Sequence, residues 1–158
     1  MSTSTLTTYL NDHLAGSLAA VKLLDHLISK PAGATGEVFR TLRSEIEEDQ
    51  NVLRQLLERL AEPESRVRKA AAWLTEKLGQ AKLQMDDPGN GELRALEALE
   101  ALGLGIQGKL ALWRALALVA GSVPELGTVD FSLLQRRAIE QFDRVERLRL
   151  EAARTALS

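Results

Sequence analysis

Three polar residues interrupt apolar seams in the first two predicted helices, and their types suit metal binding or proton transfer. His13 lies in a run of apolar residues at three- and four-residue spacing, and Glu45 and Asp49 occupy such positions in the next segment. A buried carboxylate must be paired, protonated or bound to a metal, because desolvating an isolated charge is too costly. These three side chains are therefore the candidate site.

Three arrangements of these residues are open. Imidazole and carboxylate groups are ligands for iron, manganese or zinc, so His13, Glu45 and Asp49 could form an open, partly hydrated metal site. Alternatively they form a structural polar layer, in which His13 hydrogen-bonds locally or to Asp49 and Glu45 pairs with an arginine, with Arg149 at the matching height. In the third arrangement the register is different and these residues lie at the surface. The register estimated for antiparallel helices puts Asp49 about one turn (~6 Å) from His13 and Glu45 about two turns (~12 Å) away. A single ion would be strained across that span, so we expect the structural layer and no metal or other cofactor.

A glycine-rich run offers a second lead. Gly103-Leu-Gly-Ile-Gln-Gly108 fits the G-x-G-x-x-G pattern, but a dinucleotide site needs a strand before it and a helix starting at it. Here the run lies inside a continuous helical seam, where each glycine costs roughly 0.8–1 kcal/mol relative to alanine. We expect it to allow close helix packing. The alternative is space for a ligand, water or ion in the middle of the bundle.

Composition excludes several classes of function. The chain of 158 residues has no cysteine, which excludes disulfides, cysteine-based zinc sites and thiol nucleophiles. Its net charge of -2 provides no basic surface for nucleic acid. Both histidines, His13 and His26, lie in the first predicted helix, so a serine–histidine–aspartate triad has few places to form. We therefore expect no assignable enzymatic reaction.

The elements that position these residues are predicted to be helices of one all-α domain covering residues 1–158. Leu, Ala, Glu, Arg and Lys make up 86 of the 158 residues, a composition typical of long helices. Four long segments of matched length carry apolar seams and predict a four-helix bundle, and a shorter segment with a poorer stripe predicts an outer crossover helix. The crossover would make the second and third long helices parallel. The long helices are predicted at about 5–29, 36–61, 92–119 and 131–157, and the crossover at about 64–84.

Four stretches carry a resemblance to a known superfamily: Tyr9-Leu-Asn-Asp-His-Leu-Ala-Gly16, Glu45-Ile-Glu-Glu-Asp49, Ala70-Ala-Ala-Trp-Leu-Thr-Glu-Lys-Leu78 and Gly108-Lys-Leu-Ala-Leu-Trp-Arg114. The chain resembles uncharacterised bacterial proteins of the ferritin-like superfamily. The resemblance implies two antiparallel hairpins joined by a long crossover. Metal-binding members carry a carboxylate on the first and third core helices and Glu-x-x-His on the other two. Neither histidine here follows a glutamate by three residues, so the di-iron ligand set is not intact.

Taken together, these features predict a structural or interaction protein on a ferritin-like bundle. The alternatives are a metal-binding protein with an atypical site and a bundle that binds a small ligand. A cavity of several hundred Å³ near the glycines would favour the ligand-binding alternative. We expect a cytoplasmic protein without a signal peptide, because the first residues are neither basic nor apolar. We expect no nucleic-acid or membrane partner, and a homo-dimer is possible; the sequence does not identify a protein partner.

Overall fold

Four long helices make up most of the structure, a computed structural model that describes residues 3–28, 33–60 and 91–158. These helices are α1 (Thr3–Ile28), α2 (Gly33–Arg59), α3 (Gly91–Val119) and α4 (Phe131–Leu157). A short 3-10 helix, Pro124–Leu126, lies between α3 and α4, and the described ranges contain no strand. The all-α prediction is therefore confirmed, and the predicted bounds agree within three residues. The crossover predicted at 64–84 lies outside the described residues.

The helices are packed in two hairpins. The closest packing joins α3 to α4 and α1 to α2, while α1 also packs on α3 and α2 on α4. Each helix thus has two neighbours, which places α1 diagonally opposite α4 and α2 diagonally opposite α3. This four-helix bundle, rather than an open row of helices, is the arrangement that the matched lengths predicted.

Side-chain contacts between helices establish their directions. Arg59 at the end of α2 reaches Thr128, just before α4, whereas Glu45 farther back in α2 pairs with Arg144 farther along α4. The two helices therefore run antiparallel. Because α3 is also antiparallel to α4, α2 and α3 point the same way, as the sequence predicted. Leu60 and Gly91 consequently lie at opposite ends of the bundle.

The core between the helices is built mainly from leucine. Trp113 is fully buried and lies beside Phe131, with ring centroids 6.3 Å apart, where α3 and α4 approach their connection. Leu126 of the short 3-10 helix is also fully buried and contributes to this part of the core. Asp130 caps α4 by accepting a hydrogen bond from the Leu133 backbone N–H at 3.0 Å. This end of the bundle is thus fixed by side-chain packing and by a helix cap.

Among the described helices, α3 alone is long and apolar enough to cross a membrane by length and composition. A core helix of a bundle meets the same criterion. Of the apolar window in α3, 39% is buried by the other helices. Lys109, in the middle of α3, is held in an ion pair inside the bundle.

Candidate functional site

Asp49 is the most deeply buried charged residue of the bundle centre, with 2% of its surface exposed. Its Oδ2 accepts a hydrogen bond from the ammonium of Lys109 at 2.6 Å. Its Oδ1 accepts one from Nη1 of Arg137 at 3.0 Å, and the same guanidinium also reaches the exposed Glu48. The carboxylate is therefore satisfied by two cations from two different helices, as a buried charge requires.

Lys109 connects Asp49 to a second polar residue. Its side chain is 11% exposed, and its ammonium also donates to Oε1 of Gln141 on α4. Burial lowers the pKa of Lys109 below its ordinary value, and the ion pair with Asp49 offsets part of that effect. The lysine is thus held in place by α2 and α4 together.

Gln141 extends the network to Glu45. This fully buried amide donates from Nε2 to Oε2 of Glu45 at 3.0 Å, and Arg144 binds the same oxygen at 2.5 Å. Burial raises the pKa of the Glu45 carboxyl, but the hydrogen bonds from Arg144 and Gln141 outweigh it, so the pKa is lowered overall. We call this connected set the polar layer; it consists of Glu45, Asp49, Lys109, Arg137, Gln141 and Arg144.

The structure connects two of the three predicted site residues and leaves the third apart. Glu45 and Asp49 are joined through the polar layer, whereas His13 makes an edge-on contact with Tyr9, with ring centroids 4.7 Å apart. Burial lowers the pKa of His13, partly offset by the negative charge of Asp12. Within the described ranges, no three histidine or acidic side chains are grouped as a metal site would need. The three candidate ligands therefore do not form one coordination site.

Of the pairings expected from the sequence, one is wrong and one is confirmed in part. Asp49 accepts hydrogen bonds from Lys109 and Arg137, whereas His13 contacts Tyr9 of its own helix. The partner of Glu45 is an arginine, as expected, but it is Arg144, five residues before Arg149. That shift is about one and a half helical turns.

Arg149 pairs elsewhere. It binds Glu146 at 2.7 Å on its own helix and Glu100 of α3 at 3.4 Å. The Glu100 contact and that of Lys109 with Gln141 agree within one residue with the register expected for two antiparallel helices whose connection is centred near residue 125. The error in the Glu45 pairing therefore arose in the register of α2.

A cavity of about 230 Å³ lies beside the polar layer, between α1, α2 and α3. It is partly open to solvent, and most of its wall is apolar. Asp49 and Lys109 belong to both the wall and the polar layer. The other lining residues are Asp12, His13, Gly16, Ser17, Ala20, Ile46, Gln50, Leu53, Gly105, Ile106, Gly108 and Leu112.

The glycines explain where the space comes from. A Cβ atom added to Gly16, Gly105 or Gly108 would meet no described atom within 4 Å. At Gly103, by contrast, it would lie 3.6 Å from the Phe142 ring. Close packing, the interpretation favoured from the sequence, therefore holds at Gly103. Gly108 is half-buried and Gly105 is exposed, and both border the partly open cavity, which favours the alternative at these two positions.

Gln50 is a wall residue that the sequence did not single out. It is 3% exposed, and its Oε1 accepts a hydrogen bond from Arg54 at 3.3 Å. Its Nε2 is buried without a hydrogen-bond partner among the described residues. Nε1 of Trp113 shares that condition but is not part of the cavity wall. Most buried donors in proteins are paired, so the unpaired amide of Gln50 is an exception.

One residue of the polar layer that was not predicted, Gln141, could have been found from the sequence. The buried positions Leu134, Ala138, Gln141 and Val145 follow an alternating four- and three-residue spacing, so Gln141 falls on the seam of α4. The neighbouring Phe142, which apolar character alone would place on the seam, is only half-buried. A glutamine on a seam indicates a buried polar contact.

No family model, curated protein or solved structure matches this sequence. The function must therefore be inferred from the polar layer and the cavity themselves.

Proposed function

We propose that this protein binds a small apolar ligand in the cavity between α1, α2 and α3. The observation that carries the proposal is the open space at Gly105 and Gly108. Each of the two glycines lowers helix stability, and both border a partly open, mostly apolar cavity. A binding site explains glycine at these positions, because a side chain there would occupy the cavity.

The size and wall of the cavity limit the ligand. A cavity of about 150 Å³ holds benzene, and typical sites for drug-sized ligands begin at about 300 Å³. At about 230 Å³, this cavity fits a substituted single ring or a short chain. The mostly apolar wall favours a ligand that leaves water for hydrophobic surroundings.

In this proposal the polar layer supports the site and does no chemistry. Asp49 is held by Lys109 and Arg137, and Glu45 by Gln141 and Arg144, so their oxygens already have donors. A metal bound at these carboxylates would have to displace a lysine or an arginine. We therefore propose a binding protein that carries no stoichiometric transition metal and catalyses no reaction.

The arrangement of the helices supports the finer proposal of a ferritin-like bundle. Two antiparallel hairpins with α2 and α3 parallel are what that resemblance implied. The opposite positions of Leu60 and Gly91 require the intervening chain to connect the two ends of the bundle. A solved structure that includes residues 61–90 would test this topology.

A second candidate function, protein interaction, is favoured by the outer face of α3. Leu104 is 75% exposed and Leu118 is 86% exposed, and Ala111 and Ala115 lie between them on the same face. Such a row of apolar residues is suited to contact with another helix. Light scattering after size-exclusion chromatography would show a dimer if the row binds a second copy, and Leu104→Glu should then give a monomer.

Ligand binding can be tested by NMR titration with toluene. We expect shifts in the backbone amides of residues 12–20, 46–53 and 105–112 that saturate with concentration. The variant Gly108→Leu fills the cavity and should abolish them. The matched variant Gln107→Leu adds the same side chain at the next position, which is exposed and outside the wall, and should retain them. Shifts spread evenly over the bundle, or equal in both variants, would contradict the proposal.

A further inference from the structure

The outer face of α3 carries a second heptad pattern besides the one that faces the core. Its residues follow an alternating four- and three-residue spacing, which places them on one side of the helix. We call them the outer seam; they are Leu104, Gly108, Ala111, Ala115 and Leu118. The two leucines are the most exposed large apolar side chains that the structure describes. A heptad seam of this kind is suited to packing against another helix.

Two residues of opposite charge flank the outer seam. Glu100 and Arg114 are fourteen residues apart, which is about four helical turns, so they lie along the same edge of the seam. The side chain of Glu100 is half exposed, and its contact with Arg149 is long at 3.4 Å. Arg114 is exposed and has no acidic partner among the described residues. Both charges therefore retain the capacity to pair with another molecule.

These charges determine how two copies of α3 would fit together. In a parallel pair, Glu100 would face Glu100 of the second copy and Arg114 would face Arg114, so like charges would repel. In an antiparallel pair centred at Gln107, each Glu100 faces Arg114 of the second copy, about 10 Å from the centre. A two-fold axis brings the same edge of both helices together, so the two ion pairs form at once.

The same register also covers the exposed leucines. Leu104 then lies at the height of Gly108 and Ala111 of the second copy, where the small side chains leave a hole for it. Leu118 lies within one turn of Leu93 of the second copy, which is itself 47% exposed. The charges and the apolar residues of the outer face thus agree on one antiparallel arrangement.

We propose that this protein forms a two-fold symmetric dimer in which the outer seams of two α3 helices pack antiparallel and Glu100 of each copy pairs with Arg114 of the other. This inference rests on the interaction function proposed for the outer face of α3 and adds the identity and orientation of the partner. A membrane surface is a poorer partner, because the exposed Glu97 and Glu100 on this face are repelled by anionic headgroups.

Two complementary charge reversals test the arrangement in the full chain. Glu100→Arg alone sets two arginines against each other in each pair, and Arg114→Glu alone sets two glutamates against each other. Each variant should be monomeric at a concentration where the wild type is dimeric. In an equimolar mixture, the two introduced residues face each other and the native Arg114 faces the native Glu100. Native mass spectrometry should therefore detect a dimer with one chain of each variant.

Neutralising the charge gives a milder measurement should a reversal disturb folding. Glu100→Gln removes two exposed ion pairs from each dimer and should raise its dissociation constant roughly 2- to 30-fold. Sedimentation equilibrium would measure the change. The matched control Glu140→Gln makes the same substitution at an exposed position of α4, away from the outer seam, and should leave the constant unchanged.

The outcomes separate this inference from the interaction function. If Leu104→Glu abolishes the dimer but the two reversals do not recombine and Glu100→Gln has no effect, the antiparallel arrangement is overturned and the outer face remains an interaction surface. A dimer that persists in Leu104→Glu places the contact elsewhere, and both proposals fail. A wild-type protein that stays monomeric overturns the dimer. If Leu104→Glu then also lowers the free energy of unfolding, residues 61–90 of the same chain cover the seam instead.

Discussion

The seam between α2 and α4 and the seam between α1 and α3 differ in residue composition. In α2 and in α4, 10 of 27 residues are charged, whereas α1 has 3 in 26. Arg137 and Arg144 bridge the first seam to acidic residues of α2. The second seam borders the cavity and contains Gly16, Gly105 and Gly108. Charged pairs therefore fix one side of the bundle, and small apolar residues leave space on the other.

This difference indicates that the two seams have different roles: the charged seam fixes the relative height of the helices, and the apolar seam leaves space for a ligand. An ion pair holds two helices at one relative height, because a shift of a single turn would strand both charges. Apolar contacts tolerate small shifts, since they have no direction. A site that admits a ligand is accordingly expected on the apolar side, supported by the charged side behind it. Substitutions on the two sides should then have opposite effects on stability.

The largest effect is expected from Asp49→Ala. The change leaves Lys109 and Arg137 without their shared buried carboxylate, and breaking a buried pair from one side costs about 3–5 kcal/mol. Urea unfolding would measure the loss. The control Glu47→Ala removes an exposed pair with Arg43 and should cost about 0.2–1 kcal/mol. Equal losses in the two variants would contradict a central role for the charged seam.

Lys109→Met should have an intermediate effect. Asp49 keeps its contact with Arg137, so its charge stays paired, but Gln141 loses a donor and Asp49 loses one of two cations. We expect a loss of about 1–3 kcal/mol in the free energy of unfolding. A loss larger than that of Asp49→Ala would show that the lysine, and not the carboxylate, organises the polar layer.

On the apolar side, substitution should raise stability. Gly105→Ala and Gly108→Ala place a methyl group in open space and remove the helix penalty of glycine. Each should add about 0.8–1 kcal/mol to the free energy of unfolding, measured by urea titration without ligand. A loss of stability in either variant would show that the space at that position is filled.

The smallest effect concerns pH. Burial lowers the folded-state pKa of His13 below its ordinary value of 6.5, so the unfolded chain takes up this proton first as the pH falls. The free energy of unfolding should decrease as the pH falls from 6.5 to the folded-state pKa of His13. Below that pKa, His13 should no longer contribute to the pH dependence of stability. Urea midpoints between pH 8 and 5 should show the decrease, and His13→Gln should reduce it. His26→Gln keeps His13 in place and should retain the slope; an unchanged slope in His13→Gln would refute this assignment.

The sequence predicted the helices and one of the two registers well. The eleven residues from Ala120 to Asp130 form a short connection, which limits how far α3 and α4 can slide, and their register was right within one residue. Thirty residues separate Leu60 from Gly91, and so long a connection places no such limit on α2. The pairing of Glu45 was consequently wrong by about one and a half turns.

The candidate site was predictable only in part. Their positions on an apolar seam predicted that Glu45 and Asp49 face the core, and Asp49 is buried while Glu45 is half-buried. Their partners could not be predicted, since a long lysine or arginine reaches the core from a position beside the seam. Whether the amide of Gln50 finds a hydrogen-bond partner depends on the acceptors that neighbouring helices place around it. No local pattern in the sequence encodes that arrangement.

The most direct measurement is a crystal structure of the protein soaked with toluene. We predict density for the ring between Gly16, Gly105 and Gly108. The same map should show Asp49 between Lys109 and Arg137, with no metal peak at its oxygens. An empty or side-chain-filled space at these glycines, with the ligand bound elsewhere, or a metal at Asp49, would contradict a ligand site supported by a charged seam.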